Sequence, residues 1–133
     1  QTIEGDPLEL KPVIAKLIEE GKVTPDGHID DRAFFEATLD HKYPDAFSRI
    51  CKTFNGLAKN PPDLVVTVKD GWFCGDKGMA DSVNVASTHG SLRNAGSVTA
   101  IMSTIRPIEK ALRVSEVLRV FPEMTSQVSG NSN

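Results

Sequence analysis

Cysteine is scarce: Cys51 and Cys74 are the only two in 133 residues. One possible pair does not define a disulfide scaffold, and neither cysteine opens a C-x-x-C zinc or redox spacing. Cysteine usage therefore leaves the compartment open. Long apolar runs are also missing, and nothing approaches the ~18 residues of a transmembrane helix. The opening residues, Gln1 to Asp6, lack the pattern of a signal peptide. They also lack an initiator Met, as a trimmed or excised product would. Charge of one sign is absent too. Fifteen basic residues face eighteen acidic ones, for a formal net charge of -3. That balance gives no general attraction to nucleic acid or to an anionic membrane. No internal repeat is present.

What remains is a chain of ordinary composition, long enough for one domain with a core. The first third reads as helical. Asp6-Pro7-Leu8-Glu9 has the form of a helix start, with Asp6 as the cap. Leu10, Val13, Ile14, Leu17 and Ile18 then recur at helical spacing. Pro12 would remove an interior hydrogen bond, so a start near Pro12 is the alternative. Gly21 is the expected stop, and Thr24-Pro25-Asp26-Gly27 is a turn by composition. A short helix is predicted from Asp31 to Leu39, capped by Asp30 or Asp31. A third follows Tyr43-Pro44-Asp45, with Phe47, Ile50, Cys51 and Phe54 on one stripe and Gly56 near its end. Phe34, Phe35, Phe47, Phe54 and Cys51 are the expected core of this region.

Two apolar runs follow. Leu64 to Val68 and Val98 to Ile105 are rich in β-branched residues and read as buried strands. Asn60-Pro61-Pro62-Asp63 leads into the first, and Arg106-Pro107 ends the second. Between them, Lys69 to Gly96 has weak periodicity and many glycines, which is typical of a functional loop. Ser115 is the candidate cap of a last helix carrying Val117, Leu118 and Phe121. The expected fold is therefore mixed α/β: a helix-rich N-terminal half, at least two core strands and a short C-terminal helix. Residues 1–122 would form one domain or part of one, and 123–133 a polar, disordered tail.

Within the long loop, Ser87-Thr88-His89-Gly90-Ser91 is the main chemical candidate. A His-Gly pair before a core strand is a way to present a ligand at a sheet edge. On spacing alone, a lone histidine is more simply a structural loop residue. Gly75-Asp76-Lys77-Gly78 lacks the full phosphate-loop pattern and reads better as a tight turn. Lys77 and Arg93 are possible anion contacts near His89. Cys74 is more simply a packing residue than a nucleophile. His28 and His41 read as solvated side chains.

Several ordered words resemble the C-terminal part of the alkaline phosphatase superfamily, nearest to its phosphodiesterase and nucleotide pyrophosphatase branch. They are Tyr43-Pro44-Asp45-Ala46, Asn60-Pro61-Pro62-Asp63-Leu64-Val65-Val66, Lys69-Asp70-Gly71-Trp72-Phe73-Cys74-Gly75, Thr88-His89-Gly90-Ser91 and Ala111-Leu112-Arg113-Val114-Ser115-Glu116-Val117. The resemblance spans Tyr43 to Phe121 and implies a place in a larger sheet of that family's type. It implies hydrolysis of phosphate esters by two divalent metals, often zinc, flanking a Thr or Ser nucleophile. By the same resemblance His89 is one metal ligand. The family's nucleophile and most of its other ligands lie upstream of the matching region and have no counterpart here. Its Asp-x-x-x-His and Asp-His-Gly words are also missing. The expectation is thus a C-terminal portion of a metal-dependent phosphate-ester hydrolase, inactive alone. Zinc or another divalent metal would belong to the full-length protein. The alternatives are a stand-alone α/β binding or interaction module and one subunit of a split enzyme, ordered by a partner chain or the missing N-terminal part.

Overall fold

The computed structural model describes residues 5–56, 59–72, 78, 81, 90–108 and 111–124. Contacts divide the chain into two compact units, Gln1–Thr99 and Ala100–Asn133.

The first unit is built on three helices, α1 (Lys11–Glu19), α2 (Asp31–Ala37) and α3 (Ala46–Asn55). Asp6 caps α1 from a distance. Its carboxylate accepts from the backbone N–H of Leu10 at 3.0 Å and of Lys11 at 2.9 Å. Both are donors that a helix start leaves without an internal partner. The helix begins just before Pro12, where proline's missing N–H costs nothing. At the other end the Lys22 N–H reaches the Leu17 carbonyl at 2.8 Å, and the Gly21 N–H reaches Ile18 at 3.0 Å. This is a full Schellman closure, and it needs Gly21 in the left-handed region, at φ 66°.

The turn Thr24–Gly27 forms as expected and closes one antiparallel bridge, Val23 to Ile29. The Asp26 carboxylate is held below its usual range, first by the Thr24 hydroxyl. Asp30 then caps α2 by accepting from the Ala33 N–H at 2.8 Å. Asp30→Ala should cost about 1 kcal/mol, the usual worth of such a cap. A thermal melt followed at the helical circular-dichroism band checks it, and an unshifted melt would remove Asp30 from the account.

The core of this unit is small. Leu10, Leu17, Phe34 and Ala46 are buried together, with Leu8, Val13, Ile14, Val23, Ile29, Ala33 and Tyr43 packed around them. Phe35 is also buried. Thr38 is also fully enclosed. Its hydroxyl donates to the Phe34 carbonyl at 2.8 Å and accepts from the Asp45 N–H at 3.0 Å. Asp45 sits at φ 49°, a left-handed position that a short polar residue tolerates. The α2–α3 connection is thereby fixed at a buried, satisfied polar centre.

In the second unit a single 3-10 turn, Val114–Glu116, runs into α4 (Val117–Val120). Glu116, not Ser115, secures this start, by accepting from the Arg113 N–H at 2.9 Å. Phe121 is buried. The Arg106 guanidinium lies 5.5 Å from its ring centre and pairs with Glu123 at 2.5 Å. An open apolar cleft of 240 Å³ runs between Ile101–Ile105 and Val117, Phe121 and Met124. Residues 125–133, where most of the expected disordered tail falls, lie outside the described residues.

The expected α/β architecture is not what forms. Among the described residues there is no strand and no sheet beyond the one bridge. Leu64–Val68 and Val98–Ile105 are irregular. Their side chains face outward, with Leu64 74% and Ile105 60% exposed. A strand requires a partner for its backbone groups, and neither run has a ladder partner among the described residues. The α3 stripe is a second correction. Ala46 is its buried residue, whereas Phe47 and Phe54 stay 45% and 39% exposed and Cys51 is a free, exposed cysteine. Phe47 does stack on Phe34, with centroids 4.8 Å apart.

Candidate functional site

His89, Cys74 and Lys77 lie outside the described residues, as does most of the Gly75-Asp76-Lys77-Gly78 turn. The segment that follows His89 is described, and it is firmly held. Gly90 takes φ 93°, open to glycine but rarely to other residues. The next two carbonyls are then gripped by one side chain. Arg49, on α3, donates to the Leu92 carbonyl at 2.9 Å and to the Ser91 carbonyl at 2.9 Å. A third contact, to the Pro44 carbonyl at 3.4 Å, ties the same guanidinium to the start of its own helix. Burial pushes the Arg49 pKa down, and the nearby Asp45 charge opposes this. An arginine keeps its charge in such surroundings.

Asn94 is the second anchor. Its N–H donates to the Lys42 carbonyl at 2.8 Å. Its side-chain amide donates to the Leu39 carbonyl at 3.3 Å and the His41 carbonyl at 3.4 Å. The loop closes on itself through Ser97, whose hydroxyl donates to the Arg93 carbonyl at 2.6 Å. Arg93 pairs with Asp70 at 2.7 Å across an exposed surface. In that pairing its guanidinium is a surface ion pair of small worth.

The ledge that receives this loop, residues 38–45, is itself tied back to the start of the chain. His41 is half-buried, not simply solvated. Its Nδ1 accepts from the Tyr43 N–H at 3.0 Å, so the hydrogen sits on Nε2, which faces the Glu9 carbonyl at 3.1 Å. Both ring nitrogens are thus committed to backbone. Lys42 pairs with the Glu9 carboxylate, which raises the lysine's pKa. His28, by contrast, is exposed beside Asp26 on the turn, at 2.8 Å.

Chemically, the described part is a positioning frame. No three His, Cys, Asp or Glu side chains among the described residues converge on a metal-sized site. The residues described do not by themselves fit a metal centre, and no hydrolytic step follows from them. The frame instead fixes Ser91 and Leu92, the second and third residues after His89 in sequence. Sequence reasoning missed Arg49 and Asn94. The two loop partners of Arg49, Ser91 and Leu92, lie more than 40 positions away, and no spacing rule reaches that far. The only hint was that Arg49 falls off the apolar stripe of its helix. No family profile, curated protein or solved structure matches the chain.

Proposed function

We propose that this chain contributes His89 as one metal ligand to a phosphate-ester hydrolase whose nucleophile and remaining ligands lie outside its residues. The observation that carries this reading is the Arg49–Asn94 anchoring of Ser91–Ser97. A ligand must be held to within about half an ångström to be useful, and rigid support is what achieves it. The ordered motif words supply the chemistry; the reading does not rest on an α/β fold. Zinc or another divalent metal would polarise the phosphoryl group once all ligands are assembled.

The test uses the native-length protein. His89→Ala should lower hydrolysis of p-nitrophenyl phosphate esters by about 10²-fold or more and reduce bound metal, since even supporting residues cost 10–100-fold. Unchanged hydrolysis and metal content would overturn the proposal.

A second reading is a non-catalytic interaction module or the subunit of a split assembly. It is favoured by the exposed apolar side chains of the irregular segments, such as Trp72 at 76% and Met102 at 95%. Such surface is what a partner covers. It predicts co-purification with a second polypeptide and indifference to His89→Ala.

A further inference from the structure

We propose that Asn55-Gly56 is a site of spontaneous deamidation, placing a carboxylate at the end of α3 as the chain ages. The argument starts from the backbone. Asn55 is the last residue of α3 and Gly56 its cap. Both are exposed. A Cβ at position 56 would collide with the Lys52 carbonyl oxygen. The helix ending therefore requires glycine. Glycine is also the neighbour that least obstructs attack by its own amide nitrogen.

That nitrogen is free to react. The Gly56 N–H makes no hydrogen bond among the described residues, unlike the cap N–H of α1 or α2. The Asn55 side chain is held only by its own helix, donating to the Cys51 carbonyl at 3.2 Å and to the Cys51 Sγ at 3.7 Å on the exposed face. In the reaction the deprotonated Gly56 nitrogen attacks the Asn55 Cγ. A C–N bond forms, the bond to Nδ2 breaks, and ammonia leaves with the proton. Water then opens the cyclic imide at either carbonyl, giving aspartate or isoaspartate. Either product loses the donor to Cys51. Each also sets a negative charge beside the negative end of the helix dipole, which is unfavourable.

Other asparagines provide internal controls. Asn94 is followed by Ala95, and its amide is engaged by two carbonyls. Asn60 is followed by Pro61, which has no N–H to attack with.

The experiment is prolonged incubation of the whole folded chain at neutral pH and body temperature, beside a sample in concentrated urea. Peptide mapping by mass spectrometry and isoaspartate-specific methyl labelling read each site. Asn55 should convert at least about tenfold faster than Asn94, a barrier difference of about 1.4 kcal/mol. Its folded rate should stay close to its rate in urea. Asn55→Gln should abolish the isoaspartate signal from that peptide. Conversion in urea with an intact Asn55 in the folded chain would overturn the proposal, because the fold would then protect the site. A rate no faster than that of Asn94 would overturn it equally.

Discussion

Leu17→Ala is expected to destabilise the first unit by about 2–5 kcal/mol, the range for a buried leucine truncated in a core. Leu17 is 2% exposed on α1 and belongs to the cluster of Leu10, Phe34 and Ala46. That cluster is small, so little can collapse into the space left behind. Domains of ordinary stability have about 5–15 kcal/mol in total, so this one change removes a large share. With a urea slope of roughly 1–3 kcal/mol per molar, the midpoint should fall by about 0.7 M or more. The neighbouring Ile18 is 59% exposed. Ile18→Ala should stay within about 0.5 kcal/mol of the parent, as exposed substitutions generally do. Equal losses from the two variants would mean that the buried face of α1 has been assigned wrongly.

That pair also marks how far the sequence could be read. Helical spacing places Leu17 and Ile18 on one apolar stripe, but only contacts with other elements decide which of them is enclosed. The helices themselves were legible because their signals are local. Asp30 caps its own third neighbour, Gly21 ends its own helix, and Thr24–Gly27 closes on itself. The apolar runs at 64–68 and 98–105 misled for the opposite reason. A β-branched run states what a strand would prefer but not whether a partner exists to accept its backbone bonds. Polar residues were hardest to place. Thr38 looks like an ordinary helix-end threonine, yet it is the buried joint between α2 and α3. His41 looks like a solvated histidine, yet both its nitrogens meet backbone groups. At the candidate site the motif word around His89 was legible. The frame that holds Ser91, Leu92 and Asn94 was not, since its contacts join residues 42 to 55 positions apart.

The frame makes the second large effect specific. Arg49→Met keeps much of the aliphatic stem and removes the forked donor. It should cost about 1.5–3 kcal/mol, the scale for hydrogen bonds made by a charged group. The loss should not be the sum of two such bonds, because deleting the charge also removes the cost of burying it. Arg49→Lys should recover only part of the loss. A lysine is a point charge and cannot serve the Ser91 and Leu92 carbonyls in the same fixed geometry. Global stability is the less informative readout. Amide hydrogen exchange separates the outcomes, because the Asn94 N–H bonds to Lys42 and the Gly96 N–H bonds to Arg93. If Arg49 holds the loop on its ledge, the Asn94 amide loses protection in Arg49→Met while the Gly21 and Lys22 amides of the α1 closure keep theirs. Uniform loss at all four would mean that the variant merely lowers overall stability. Retained protection at Asn94 would mean that Asn94 alone fixes the loop. The part assigned to Arg49 in holding Ser91 and Leu92 would then fall away, leaving the anchoring behind the proposed ligand role of His89 to Asn94 alone.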